Sequence, residues 1–205
     1  MEAKFSVSEV LSSSWETFKA NALVLVGLFF AYIVVVAIIS PILGLILVKI
    51  PGGSIIIQVI SLFFGAFFTL GFLKIILQAL SGEEPQISAF QEQLPKLVTA
   101  FLATLLMIII VVIGIILLIL PGLYLSIRLQ FAFYFIVEEN VGVIDSFKKS
   151  WELTSNKDLL VPLILLSLAS IGLGIAGFIC LGVGILVAAP LTYVMQAKVY
   201  TILKA

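Results

Sequence analysis

Three intervals without a single charge dominate this chain: 29 residues between Lys19 and Lys49, 31 between Lys96 and Arg128, and 39 between Asp158 and Lys198. A helix rises about 1.5 Å per residue and needs roughly 20 residues to cross the hydrocarbon of a bilayer. The first interval therefore holds one long helix, about 21 to 48, bent or ended near Ser40-Pro41. After the turn KIPGGS, the run SIIIQVISLFFGAFFTLGFLKIILQAL at 54 to 80 supplies a second, with Lys74 close enough to its end to snorkel to the interface. The second interval is interrupted by Pro121-Gly122, giving helices at about 97 to 120 and 123 to 138. The third is twice the length of one crossing and divides at Leu181-Gly182-Val183-Gly184 into the fifth and sixth. The expected fold is an all-α polytopic membrane protein of six transmembrane helices.

With 62% hydrophobic and 11% charged residues and a mean hydropathy of +1.32, no stretch is left to fold as a water-soluble domain. One membrane domain, 1–205, is expected. The formal charge is zero, which removes the electrostatic footprint of a nucleic-acid binder. Histidine is absent and Cys180 is the only cysteine, so the usual proton shuttle, metal ligands and redox pair are missing. No cofactor or metal is expected, and the chain reads as non-enzymatic. Its first 19 residues are too polar and acidic to open a signal peptide.

Lysines set the expected orientation, because cytoplasmic segments carry the excess of positive charge. With six crossings, Lys4, Lys19, Lys74, Lys96, Lys148, Lys149, Lys157, Lys198 and Lys204 fall on one side and Lys49 alone on the other. This predicts a multi-pass protein of a prokaryotic cytoplasmic (inner) membrane, both termini cytoplasmic, with very short outer turns.

An internal similarity organises the rest. SVSEVLSSSWETFKANALVL at 6 to 25 aligns without gaps on GVIDSFKKSWELTSNKDLLV at 142 to 161, matching Ser14-Trp15-Glu16 to Ser150-Trp151-Glu152. Ile144, Phe147 and Trp151 recur three and four apart, the pattern of a helix lying in the headgroup plane. Trp15 and Trp151 are the expected interfacial anchors. A fainter copy, PQISAFQEQLPKLVTAFL at 85 to 102, would divide the chain into parallel units 1–80, 81–140 and 141–205, each an amphipathic helix followed by a hairpin.

Arg128, the only arginine, is the candidate site. An arginine within a spanning helix costs at least about 2.5 kcal/mol on insertion scales and stays charged. Tyr124 lies four residues earlier on the same face and Gln130 is close by. Two readings stand: Arg128, Tyr124 and Gln130 hold an anion or lipid phosphate, or Arg128 ties down carbonyls freed by the Pro121-Gly122 break. Glu138 and Glu139 read as a solvated helix end rather than an acid–base pair. Gly172, Ala176 and Cys180 form a small-residue ridge expected to let a neighbouring helix approach. Gln58 and Gln196 are expected to bond between helices.

LPGLYLSIRLQFAFYFIVEENVGVIDSFKKSWELT, 120 to 154, combines a Pro-Gly turn, a tyrosine, an arginine helix, an acidic pair with asparagine, and an amphipathic helix bearing Ser-Trp-Glu. It resembles the YciC-type uncharacterised integral membrane proteins of bacteria and archaea, related to the membrane domain of glycerophosphoryl diester phosphodiesterases. The resemblance implies a membrane fold and no activity: the phosphodiesterase's catalytic barrel is a separate region needing about 250 residues. Expected partners are membrane lipids, and other membrane proteins or a second copy of the chain. The alternative is a small transporter or lipid-handling protein whose anionic group meets Arg128.

Overall fold

The computed structural model describes residues 5–117, 119–180 and 182–205. It is 85% helical, with no strand among the described residues. In chain order the helices are α1 (Val7–Ala20), α2 (Ala22–Leu47), α3 (Gly53–Ser81), α4 (Ala89–Glu92), α5 (Leu97–Leu117), α6 (Ile119–Leu129), α7 (Ala132–Glu139), α8 (Val143–Leu153), α9 (Leu160–Ile179) and α10 (Ile185–Lys204). Six segments are long and apolar enough to cross a membrane: Ala22–Leu47, Gly53–Ser81, Ala89–Ile116, Leu120–Glu139, Lys157–Ile179 and Ile185–Lys204. Lys4, counted above for orientation, and Leu181, within the sixth-helix boundary, lie outside the described residues.

The predicted spans correspond closely to α2, α3, α5, α9 and α10, because the charge-free lengths leave little choice. α2 runs through Pro41 to Leu47 as one helix. The fourth crossing, Leu120–Glu139, covers the expected range but begins differently and is not continuous. Pro121 is not a turn but stands in the first turn of α6, where its missing N–H deprives the helix of no bond. A further break, not expected from the sequence, divides this crossing at Gln130-Phe131, between α6 and α7. Gly82 closes α3 at φ 78° and Asn140 closes α7 at φ 52°, both in the left-handed region that ends helices, while Gly52, at φ 79°, turns the chain into the start of α3.

Close backbone approach brings the helices into hairpins. A Cβ on Gly114 of α5 would stand 2.6 Å from Gly122 Cα of α6, and one on Gly184 would stand 2.8 Å from Gly177 Cα of α9. The expected ridge of Gly172, Ala176 and Cys180 is not where this happens: all three are exposed, and Gly172 has nothing within 4 Å of a Cβ position. The helix packs through Gly177, one register away. Gln58 is likewise exposed rather than set between helices.

α10, α7 and the second half of α3 form the centre, where Phe72, Phe131, Tyr134 and Tyr200 are among the largest fully buried side chains. α2, by contrast, buries only Leu25. Its outer surface and those of α5 and α9 carry exposed large apolar side chains, such as Leu23, Leu45, Ile116 and Phe178. Such a continuous apolar surface is suited to lipid as solvent.

Candidate functional site

The break after Leu129 orphans backbone groups, and α8 supplies their partners. Ser150 Oγ accepts from the Phe131 N–H at 3.1 Å and donates to the Arg128 carbonyl at 2.8 Å. Thr154 Oγ1 lies 3.2 Å from that carbonyl and 2.9 Å from the Ser150 carbonyl. α8 thus turns inward a face of small hydroxyls, Ser146, Ser150 and Thr154, together with Phe147. Ile144 and Trp151, which share an apolar stripe with Phe147 in the sequence, remain outside, 57% and 40% exposed.

This docking builds the surroundings of Arg128. Tyr124, one turn earlier on α6, receives a hydrogen bond from Arg128 Nε at 3.0 Å. The guanidinium carbon sits 5.0 Å from the Tyr124 ring centre and 5.5 Å from that of Trp151, and the two rings meet edge to face at 5.9 Å. Arg128 is only 6% exposed, and its Nη1 is buried with no hydrogen-bond partner. Among the described residues no carboxylate lies within ion-pair distance of it. Cation–π contacts contribute about 0.5 to 2 kcal/mol each, whereas an unpaired buried donor costs about 1 to 3 kcal/mol, more when charged. The cation is cradled by rings but remains short of a counter-ion. It donates to no backbone carbonyl among the described residues.

Of the other expected site residues, Gln130 is placed elsewhere. Its Nε2 donates to the Ile127 carbonyl at 2.9 Å, and the side chain borders a central cavity with Tyr193 and Gln196. Trp15 on α1 stacks on Phe18 at 5.6 Å, with Lys19 Nζ 6.0 Å from its ring. The two Ser-Trp-Glu triplets share one register: Ser14 and Ser150 are both fully buried, and Trp15 and Trp151 are 41% and 40% exposed. They differ in bonding, because Ser14 Oγ has no partner while Ser150 holds the α6–α7 break.

The acidic pair ends α7 within a set of cations. Glu138 accepts from Lys204 Nζ at 2.6 Å and from the Tyr200 hydroxyl at 2.7 Å. Glu139 pairs with Lys204 at 2.9 Å and with Lys149 of α8. Around them Lys74, Lys96 and Lys198 have no carboxylate within 4 Å among the described residues, and they border two open hollows of about 470 and 540 Å³. Lys96 donates instead to the Val137 carbonyl.

Sequence reasoning missed Ser150 and Thr154. Their signal was available, since Ser146, Ser150 and Thr154 recur every four residues, but the more apolar stripe beside them took precedence.

Residues 97–203, just over half of the chain, match a family described as a domain of unknown function, DUF7847. The match contains Tyr124, Arg128, Gln130 and Trp151. No curated protein and no solved structure matches the chain. Nothing in these comparisons supports the resemblance to YciC-type proteins or to the membrane domain of glycerophosphoryl diester phosphodiesterases. The chain belongs to the DUF7847 family.

Proposed function

We propose that this DUF7847 protein is a non-enzymatic, multi-pass protein of a prokaryotic cytoplasmic membrane that acts by holding anionic lipid, with Arg128 as the phosphate contact. One observation carries the reading: Arg128, 6% exposed, holds its guanidinium between Tyr124 and Trp151, with Nη1 unpartnered and no carboxylate beside it among the described residues. A phosphate oxygen is the acceptor that a planar guanidinium suits best. Exposed Ile144 and Trp151 on α8, with Asp145, Lys148 and Glu152 on its outer faces, support placing this helix at the headgroup level. The matching register of Ser14-Trp15 and Ser150-Trp151 supports reading α1 and α8 as two copies of one amphipathic element.

Protein purified from a membrane containing phosphatidylglycerol should retain that lipid in native mass spectra. Arg128→Gln should lower the retained fraction about tenfold, the factor for one charge-assisted hydrogen bond. Arg128→Lys should keep part of it. Equal retention by wild type and Arg128→Gln sinks the reading. The alternative, a small transporter or lipid-handling protein, finds support in the cavity bordered by Gln130. It requires lipid or anion flux in reconstituted vesicles that Arg128→Gln abolishes in a folded protein.

The orientation has its own test. Cys180 is exposed in the turn after α9, so a membrane-impermeant maleimide should label it in intact cells, and Lys148→Cys only after the cells are opened. The opposite pattern reverses the topology.

A further inference from the structure

Polar side chains within hydrocarbon are costly unless something completes their hydrogen bonds. Yet a cavity of about 480 Å³ in the middle of the bundle is bordered by Tyr32 of α2, Thr69 of α3, Thr104 of α5, Gln130 at the α6–α7 break, and Tyr193 and Gln196 of α10. Few of these groups satisfy one another. Thr104 Oγ1 and Gln130 Nε2 donate to carbonyls of their own segments, and the side chains of Tyr32 and Gln196 have no partner among the described residues. Phe29, Phe68 and Phe133 complete the walls with apolar surface.

Two features restrict what can occupy this space. Among the described residues no lysine, arginine, aspartate or glutamate borders it, nor either of the two hollows that share its lining, so a charged ligand would find no counter-ion there. Access is sideways. One hollow, about 110 Å³, shares Tyr32 and Ser61 with the cavity and is bounded by Ile39 and Ile60, which face outward at 41% and 39% exposure. The other, about 370 Å³, shares Tyr193 and Gln196 and is bounded by the exposed Gly174 of α9. Toward the Glu138 cluster, the way is filled by Tyr134 and Tyr200, stacked at 4.9 Å and almost fully buried. The Tyr134 hydroxyl further closes on the Tyr193 carbonyl at 3.4 Å.

We propose that the cavity binds an uncharged lipid with one hydroxyl or carbonyl head on an apolar body, of the diacylglycerol or isoprenoid-alcohol kind, entering laterally from the bilayer. The volume lies within the usual range of about 300 to 1,000 Å³ for small-ligand sites, and the mixture of apolar walls with a few converging polar groups is typical of them. The head meets Gln196, Tyr32 and the free Gln130 oxygen, while the body lies along the phenylalanines. This site is separate from the anionic contact at Arg128 and stands or falls without it.

The test uses full-length protein in phosphatidylcholine vesicles with a photoactivatable diacylglycerol in one arm and a photoactivatable isoprenoid alcohol in the other. Cross-links to peptides of α3 or α10, competed by the unlabelled lipid, are expected in at least one arm, and which arm identifies the source. The double variant Tyr32→Phe/Gln196→Leu, which removes two of the head contacts, should reduce the specific cross-link at least about tenfold, the factor for one lost hydrogen bond. Gly65→Leu gives an independent check. A Cβ there stands 3.7 Å from the Tyr32 hydroxyl with nothing else within 4 Å, so a leucine projects into the cavity beside the proposed head contact. It should abolish the cross-link while leaving phosphatidylglycerol retention unchanged. No competable cross-link in either arm, or equal labelling of wild type and Gly65→Leu, overturns the proposal.

Discussion

Gly114→Leu is expected to prevent recovery of folded protein. The side chain would have to occupy backbone: even a Cβ would stand 2.6 Å from Gly122 Cα and 3.0 Å from Gly122 N. Overpacking a tight contact costs about 1 to 3 kcal/mol, and more where backbone rather than a flexible side chain must move. The α5–α6 hairpin would therefore open, and with it the platform that carries Tyr124 and Arg128. The measurement is thermal stability of a fluorescent fusion followed by size-exclusion chromatography in mild detergent, where loss of the monodisperse peak is expected. Gly172→Leu provides the contrast, since it meets nothing within 4 Å and gains helix propensity over glycine. If both variants behave like wild type, the close approach of α5 and α6 is wrong.

The second large effect is expected at the break in the fourth crossing. Ser150→Ala leaves the Phe131 N–H without an acceptor, and adding Thr154→Val removes the remaining hydroxyl at the Arg128 carbonyl. Each orphaned buried group costs about 1 to 3 kcal/mol, so the double variant should lose about 3 kcal/mol. A shift in Trp151 fluorescence should accompany it, because α8 is held against Arg128 by those same bonds. Ser14→Ala is the informative control. It occupies the equivalent position in the other Ser-Trp-Glu triplet, but its hydroxyl has no partner to lose, and removing an unsatisfied hydroxyl is near neutral. Equal losses at Ser14 and Ser150 would show that the hydroxyls act through packing rather than through the break.

Much of the architecture is legible in residue order. The six spans follow from apolar runs of adequate length divided by charges or by turns rich in glycine and proline, since hydrocarbon tolerates neither charge nor unsatisfied backbone. The fourth crossing is legible as a span, but its start reads as a turn because Pro121-Gly122 has turn chemistry, and proline is equally at home in the first turn of a helix. For the candidate site, Arg128 and Tyr124 were readable from their four-residue spacing along one helix face. Trp151 was legible only as a membrane anchor, not as the second ring against the guanidinium.

What residue order alone determined is the number of crossings and the all-helical class, because the solvent imposes both through local length and polarity. It also singled out Arg128, because a permanent charge in an apolar run is conspicuous without any structure. The tertiary arrangement decided what surrounds that charge. Ser150 reaches the Arg128 carbonyl across 22 residues, and Tyr200 reaches Glu138 across 62. Such pairings depend on how α8 and α10 dock, and docking depends on glycine contacts such as Gly114 with Gly122, which no local periodicity encodes. The same docking leaves Arg128 Nη1 without a partner and shapes a cavity lined by no charged side chain among the described residues, bordered by Tyr32, Tyr193 and Gln196. Both follow from the geometry of approach between distant segments, where a side chain's partner is set by three-dimensional proximity rather than by its place in the chain.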